Sequence, residues 1–382
     1  MNRSMVSCIL LIAAARFAAG AALGATPPTY HLTEFGGDDS PTKFTSVSGP
    51  NDLGEMLITV YGVSSSQAYL SIDGTMKPVS SLKGFSGICA PDPSYEGGSL
   101  NDVGDFIVTV VNSAGCNEAL LWHKGTVQLI GPPPYPYNSL GAGSLNNRDE
   151  VVGSLFSNLT DSNGNSLESQ FLWQNGRITL LPTFPGAEST YPGGATAASI
   201  NDLGVIAGTS GSVNGAHAVL WRNNGTTIVD LGVCPNFLYS GAGTLNDLGF
   251  VTGSCQVTQV DGVYMNLFAP VVWHNEQLTV LPLPATGAPS ALAAGINILL
   301  HQVVGAQQPG NGQAGDAGTA LLWQDNIPYD LNTLIAPDDP LKQYVKLLQA
   351  GGINVRGQIM AFGEDSRVPN NQGVQFLLTP VK

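Results

Sequence analysis

The sequence is poor in charge, and poorest in positive charge. Only 11% of its 382 residues are charged, and 14 basic side chains stand against 28 acidic ones, giving a formal net charge of −14. Binding to nucleic acid or to an anionic membrane surface requires clustered lysine and arginine, so neither partner is expected. The chain also lacks a phosphate-binding loop, a Gly-x-Ser-x-Gly turn and a thiolate placed near a histidine. We therefore predict no catalytic residue and no cofactor.

Long hydrophobic runs are absent outside the first residues. Arg3 precedes an apolar run over residues 5–15, and small residues follow up to Ala25, a pattern typical of a secretory leader. Arg16 interrupts the run, which is too short to span a bilayer. We predict a signal peptide at 1–25 and a soluble exported chain, extracellular or periplasmic and monomeric, with no membrane span.

Glycine and proline are abundant, with 47 and 25 copies. This composition disfavours helices and suits many short strands joined by tight turns. The five tryptophans are its clearest regularity, because each follows an apolar residue in a phrase such as Leu-Trp-Gln-Asn-Gly. They stand about fifty residues apart, a period typical of stacked repeats, at Trp122, Trp173, Trp221, Trp273 and Trp323. We expect all five to pack between repeats.

A second phrase begins with asparagine, most often as Asn-Asp-Leu-Gly. Its copies begin at residues 51, 101, 146, 201, 246, 297 and 354. Asparagine, aspartate and glycine favour tight turns, and an apolar β run follows most copies. Each repeat therefore offers four strands: strand a with small residues before the turn, strand b after it, strand c with the tryptophan, and strand d. Four antiparallel strands in about fifty residues are typical of a propeller blade.

The beginning and end of the repeat series predict how the blades close. After the seventh turn there are strands b and c but no strand d, whereas residues 30–35 resemble a strand d without a repeat of its own. Pairing the two completes seven blades and leaves no free sheet edge. The predicted fold is an all-β, seven-bladed β-propeller of four-stranded blades over residues 26–382, a single domain closed by pairing the N-terminal strand with the last blade.

The two phrases together resemble the HAF family of probable extracellular repeat proteins. The best copy reads Ile200-Asn-Asp-Leu-Gly204, followed by His217-Ala-Val-Leu-Trp221 and then Leu231-Gly232. The likeness extends over nearly all of residues 26–382. It implies an exported bacterial protein and supplies no established activity or catalytic residue to transfer.

The connections differ in length, and this predicts a working face. The a–b and c–d connections are short turns, whereas the d–a and b–c connections vary, and alternation of strand direction places both variable sets at one end. Four cysteines lie in these variable loops, and an even number in an exported chain suggests disulfides. We predict Cys89–Cys116 and Cys234–Cys255, each worth about 3 kcal/mol on the chain-entropy estimate.

Tyrosines gather at the same end, just before strand a. Tyr95, Tyr137, Tyr191 and Tyr239, with the neighbouring Glu96, form the candidate ligand-binding set. Aromatic rings beside a carboxylate can stack on a sugar and bind its hydroxyls. The alternative is that these rings are packed, since aromatic side chains bury large areas wherever they can.

Metal-binding patterns are weak. Asp161, Asn163 and Asn165 have the alternate spacing of a calcium loop, but Leu172 occupies the twelfth position, where such loops carry glutamate, so a solvated polar loop is the alternative. His123 and His274 each follow a strand-c tryptophan and should lie at the turn end, and neither has metal-site spacing. The sequence favours a binding or interaction module with an unknown surface glycan or protein as partner. The alternative is a carbohydrate-active hydrolase or lyase with carboxylates among the loops.

Overall fold

The computed structural model describes residues 26–35, 44–62, 64–160, 166–184, 196–212, 215–260, 263–285, 290–297, 299–308, 318–368 and 373–381. The signal peptide predicted at 1–25, the calcium-loop residues Asp161, Asn163 and Asn165, and Tyr191 lie outside these residues. Within them, no helix is long and apolar enough to cross a membrane.

The described residues form strands and two single-turn 3₁₀ segments, Val79–Ser81 and Leu331–Leu334. The first thirteen strands are β1 (Tyr30–Phe35), β2 (Phe44–Ser48), β3 (Met56–Tyr61), β4 (Ser66–Ile72), β5 (Thr75–Pro78), β6 (Ser94–Leu100), β7 (Phe106–Val111), β8 (Asn117–His123), β9 (Thr126–Leu129), β10 (Ser139–Leu145), β11 (Val151–Thr160), β12 (Ser166–Gln174) and β13 (Arg177–Leu180). The others are β14 (Thr196–Ile200), β15 (Ile206–Ser212), β16 (Gly215–Arg222), β17 (Thr227–Asp230), β18 (Tyr239–Leu245), β19 (Phe250–Val260), β20 (Val263–His274), β21 (Gln277–Val280), β22 (Ser290–Asn297), β23 (Gln302–Gln308), β24 (Thr319–Gln324), β25 (Ile327–Asp330), β26 (Val345–Ile353), β27 (Ile359–Asp365) and β28 (Val374–Pro380).

These strands make seven four-stranded antiparallel sheets, and the fold is an all-β, seven-bladed β-propeller, as predicted. Six sheets use four consecutive strands, from β2–β5 through β22–β25. The seventh has the order β1-β28-β27-β26, so β1 supplies the missing outer strand. Its register pairs His31 with Thr379 and Glu34 with Phe376. This confirms the predicted closure.

One compact unit comprises residues 42–251 and contains four complete sheets, β2–β5, β6–β9, β10–β13 and β14–β17. Its core lies between successive sheets, where one sheet's outward side chains meet the next. Trp173 and Trp221 are buried there, as predicted. Trp122 is only partly buried, although its ring stacks on Phe106 with centroids 5.2 Å apart. Trp122 thus packs against the core shared by the sheets β2–β5 and β6–β9, as predicted, but with part of its ring exposed.

The other unit combines the residues before 42 with residues 252–382. It contains the sheet β22–β25 and the sheet completed by β1. Tyr30 is fully buried in its core, packed with Leu331, Leu347 and Phe376. Trp273 and Trp323 are also buried. The chain passes from one unit to the other within β19.

Candidate functional site

The connections at the two ends of the sheets in residues 42–251 differ, as the sequence predicts. We call the end that carries residues 82–93 and 112–116 the loop end, and the end that carries the Asn turns, such as 101–104, the turn end. Antiparallel strands alternate in direction, so d–a and b–c connections meet at one end and a–b and c–d turns at the other. Each end carries one group of polar side chains that could bind a ligand or an ion.

A pocket of about 370 Å³ opens at the loop end. It lies between the sheets β2–β5 and β6–β9, and it is lined by Ser65, Gln67, Ser80, Asp92, Pro93 and Tyr95. The hydroxyl, amide and carboxylate groups of this lining can donate and accept hydrogen bonds with a polar ligand. The main chain of Ser66 donates to Ser94 Oγ at 2.8 Å, which fixes the two sheets to each other beside the pocket.

The wall that carries Asp92 is held to the neighbouring hairpin. Cys89 and Cys116 form the predicted disulfide, with Cα atoms 5.6 Å apart. Beside it, Asn112 Nδ2 donates to the Cys89 carbonyl at 3.0 Å, and Ser113 Oγ donates to Asp92 Oδ2 at 2.9 Å. Cross-links of this kind keep the carboxylate of a loop residue in place without a ligand. Cys234 and Cys255 are disulfide-bonded as well.

Tyr95 lies beneath the pocket and not across its mouth. It is 1% exposed, and its ring meets Phe85 edge-on with centroids 6.2 Å apart. Burial raises the pKa of its hydroxyl. A ring packed in this way cannot offer its face to a sugar. The structure therefore supports packing, the alternative stated for Tyr95, although the residue still borders the pocket.

The other predicted ligand-binding residues do not line this pocket. Glu96 is exposed, because the alternation along β6 turns it away from the face that buries Tyr95. Tyr137 is half-buried against the core that contains Phe171. Tyr239 is also half-buried and covers Gly215, where an added Cβ would lie 2.5 Å from the tyrosine ring. Of the members of the set that the structure describes, only Tyr95 borders the pocket.

A second group, at the turn end, was not predicted. Asp105 begins the strand-b segment of the second sheet, His123 ends its strand c, and Asp149 lies in the Asn turn of the third sheet. His123 Nδ1 is 3.0 Å from Asp105 Oδ2 and 2.9 Å from Asp149 Oδ2. One donor atom from each side chain falls within 4.8 Å of the others. His123 has no metal-site spacing in the sequence, but the fold brings two carboxylates to it.

Burial and the nearby Asp105 carboxylate both affect the pKa of Asp149. Desolvation raises the pKa of Asp149, and the charge of Asp105 raises it further, while His123 and Lys124 oppose the rise. The sequence did carry a signal for the group: Asp149 stands where most copies of the turn have glycine. Sequence reasoning missed it because the three residues belong to two different repeats.

No family model matches the chain, and no curated protein sequence matches it. Similar solved structures include the β-propeller domain of the Trilobed protease from Pyrococcus furiosus, with 11% identity, TM-score 0.45 and coverage of 82% of this chain and 100% of that one. A putative TolB from Agrobacterium tumefaciens has 12% identity, TM-score 0.40 and coverage of 66% and 88%. An Aleuria aurantia lectin in complex with Fucα1-6GlcNAc has 11% identity, TM-score 0.33 and coverage of 93% and 98%. At these identities the similarity concerns fold and identifies no substrate or partner for this chain.

Proposed function

We propose that this protein is an exported binding module that recognises a neutral, polyhydroxylated ligand, such as part of a surface glycan, in the loop-end pocket. The observation that carries the proposal is the lining: two serine hydroxyls, the Gln67 amide and the Asp92 carboxylate surround one cavity of about 370 Å³. Pockets of this size are typical of small-ligand sites. Sugar hydroxyls donate and accept hydrogen bonds at once, so a mixed set of donors and acceptors suits them.

The fixed wall of the pocket supports binding without rearrangement. The disulfide and the Ser113 hydrogen bond hold Asp92 in place before a ligand arrives, which lowers the entropy cost of association. Disulfides also fit an exported protein, as do the predicted leader and the resemblance of the repeats to HAF proteins. Export to the cell envelope or beyond is therefore part of the proposal.

A carbohydrate-active hydrolase is the alternative function. Glycoside hydrolysis generally uses two carboxyl groups that flank the scissile bond. Among the six residues that line the pocket, Asp92 alone has a carboxylate, and its Oδ2 accepts a hydrogen bond from Ser113. The lining thus favours recognition over hydrolysis at this place.

A glycan panel screened with purified protein tests the proposal. We expect at least one glycan to bind, and we expect Asp92→Asn and Gln67→Ala each to weaken binding by about tenfold, the loss of one good polar contact. Glu96→Gln is the matched control, because Glu96 is an exposed carboxylate near Asp92 that does not line the pocket. Equal affinity in Asp92→Asn would contradict the site, and absence of binding across the panel would contradict the function.

The same glycans separate the binding module from the hydrolase. Each bound glycan is labelled at its reducing end and incubated with the protein, and its length is followed over time. We expect the label to stay on full-length glycan. Shortening that Asp92→Asn abolishes would establish the hydrolase instead.

A further inference from the structure

Three polar side chains converge at the turn end, far along the sheets from the loop-end pocket. Asp105 is the most enclosed of them, with its side chain 2% exposed, and His123 and Asp149 shield it from solvent. One donor atom from each side chain lies within 4.8 Å of the other two. Two carboxylates pressed together with an imidazole need a positive charge between them, or a proton, to be stable when desolvated.

Hydrogen bonding within the described chain does not account for this arrangement. Neither oxygen of the buried Asp105 carboxylate accepts a hydrogen bond there, although its Oδ2 lies 3.0 Å from His123 Nδ1. Nδ1 carries at most one proton, so it cannot satisfy two carboxylates that both lie about 3 Å from it. By contrast, His217 Nδ1 makes a proper hydrogen bond of 2.9 Å with Asp230 in the same unit. The buried Asp105 carboxylate, left without such a bond, calls for an explanation.

The Asn turns show that Asp149 departs from the repeat. Its position has a positive φ, 61° for Asp149, and glycine adopts φ values of 76–88° at the same place in five other turns, at Gly54, Gly104, Gly204, Gly249 and Gly357. Glycine adopts this conformation freely, whereas an aspartate must overcome a steric cost. The third repeat therefore carries a carboxylate where the backbone favours a residue without a side chain.

Asp105 differs from the acidic or amide side chains at the same position in three other turns. At the corresponding place, the Glu55, Glu150 and Gln358 side chains accept a hydrogen bond from the turn asparagine, at 3.0, 2.6 and 2.8 Å. Asp105 is one methylene shorter, and neither of its oxygens makes that bond. Its carboxylate lies beside His123 instead. The unusual aspartate of the third turn and the unpaired Asp105 carboxylate thus both lie beside His123.

We propose that Asp105, His123 and Asp149 bind a divalent transition-metal cation, with Zn²⁺ as the best match. One imidazole nitrogen and two carboxylate oxygens form a donor set that zinc accepts readily, and water can complete a tetrahedron. The cation would compensate the buried Asp105 carboxylate and the partly exposed Asp149 carboxylate, and it would bind the Nδ1 lone pair. Because Asp149 belongs to the sheet β10–β13 and the other two ligands to the sheet β6–β9, the cation would fasten two successive blades.

Titration of metal-free protein tests the site. The full chain is treated with EDTA, exchanged into chelator-free buffer and titrated with ZnCl₂ by calorimetry, with thermal unfolding measured at each ratio. We expect one equivalent to bind and the melting temperature to rise with zinc, since a ligand that binds only the native state stabilises it. Absence of stoichiometric binding by both Zn²⁺ and Mn²⁺ would overturn the proposal.

The repeat itself supplies variants that should fold. Asp149→Gly restores the residue found in five other turns, and His123→Gln introduces the residue that Gln174 provides at the same place in the third repeat. Each should weaken zinc binding by more than about tenfold. Metal-free Asp149→Gly should melt no lower than metal-free wild type, because the strained φ is relieved.

The matched control is His217→Gln, which removes a histidine paired with an aspartate elsewhere in the same unit. We expect it to bind zinc as wild type does. Wild-type affinity in Asp149→Gly would refute the assignment, and so would a loss in His217→Gln as large as that in His123→Gln. A failure of glycan binding would leave this result untouched, because the two sites lie at opposite ends of the sheets.

Discussion

The side-chain amide of Asn101 donates a hydrogen bond of 3.0 Å to the backbone carbonyl of Asn146, 45 residues further along the chain. Its Oδ1 accepts from the main chain of Val103 and Asp105, at 3.2 and 2.8 Å. One buried side chain thus closes its own turn and attaches it to the turn of the next sheet. Within the described residues the same link runs from Asn51 to Asn101, Asn146 to Asn201, Asn201 to Asn246 and Asn297 to Asn354.

Replacing Asn101 should therefore lower the stability of the fold more than the size of its side chain suggests. We expect Asn101→Ala to lower the free energy of unfolding by about 3 kcal/mol, because it leaves buried backbone groups without partners. Asn101→Asp keeps the acceptor but places an oxygen opposite the Asn146 carbonyl, so it should also destabilise. Urea unfolding followed by tryptophan fluorescence measures both.

Asn112 provides the control for this test. Its Oδ1 accepts from Ala114 and Cys116, and its Nδ2 donates to the Cys89 carbonyl, so it makes the same three bonds at the loop end. These bonds are more exposed, and water can replace them. Asn112→Ala should therefore cost clearly less than Asn101→Ala, and equal losses would show that burial of the Asn turns contributes little.

Asp102, the residue after Asn101, predicts that the stability of the fold depends on pH. Desolvation raises the pKa of Asp102 to about 6, a hydrogen bond from the Asp52 main chain opposes the rise, and the charges of Asp52, Asp202 and Asp247 add to it. An acid whose pKa is higher in the native state than in the unfolded state binds more protons when folded. Its contribution to stability is thus greatest below about pH 4 and is lost as the pH rises towards 6.

Asp102→Asn should remove this pH dependence. Asn147 occupies the same position in the next turn, and its Oδ1 accepts from the Asp102 main chain at 2.9 Å, so an asparagine fits this bond. We expect the variant to gain up to about 1 kcal/mol at pH 7, since solvent reaches Asp102 and screens the repulsion, and nothing at pH 4. Asp73→Asn, at an exposed turn, controls for the loss of one charge. An unchanged difference from pH 4 to 7 would contradict the prediction.

The parts of the fold predicted from the sequence are those that a few residues determine locally. An Asn turn needs the asparagine amide and a residue able to adopt a positive φ, and both residue types can be recognised in the sequence. The tryptophans between blades can be recognised in the same way, from their fixed place in the repeat. In the fold, the Trp221 indole donates to the Pro182 carbonyl and the Trp323 indole to the Pro282 carbonyl. The pairing of β1 with β28 followed from two incomplete blades at either end of one series.

The candidate sites were harder to predict from the sequence, because they depend on how neighbouring blades meet. Tyr95 and Glu96 are adjacent in sequence, yet one packs in the core and the other is exposed, and only the register of β6 decides which. Asp149 reaches His123 from another repeat, so no spacing along the chain brings them together. Burial of each tryptophan likewise depends on the adjoining loop, and Trp122, which donates to the Lys83 carbonyl, remains partly exposed.

The buried Trp221 and the partly exposed Trp122 should differ in how much they stabilise the fold. Trp221 is fully buried, and its indole NH donates a bond of 2.7 Å. We expect Trp221→Ala to cost about 3–5 kcal/mol through the cavity it leaves, and Trp221→Phe to cost about 1 kcal/mol for the lost hydrogen bond in addition to lost packing. Trp122→Ala should cost less than Trp221→Ala in the same calorimetric melts. A loss below about 1 kcal/mol for Trp221→Ala would mean that its ring does not hold the blades together.

The closing strand β1 is anchored by a buried carboxylate as well as by β28. Asp339 Oδ2 accepts from the main chain of Leu32 at 2.7 Å and lies 3.2 Å from His31 Nδ1, while Oδ1 accepts from the main chain of Leu341 at 2.8 Å. The side chain is 1% exposed. It therefore ties β1 to the segment that precedes β26.

Asp339→Asn should release β1 while leaving the rest of the sheet folded. The asparagine can keep the bond from Leu341, but its amide then faces the Leu32 NH, so a charge-assisted bond worth about 2 kcal/mol is replaced by two opposed donors. We expect faster hydrogen exchange over residues 30–35 than in wild type, and little change in β27. Asp338→Asn is the control, because that neighbour is 81% exposed and lies 3.9 Å from His31. If exchange in residues 30–35 is the same in both variants, Asp339 does not secure the closing strand, and β28 alone holds it.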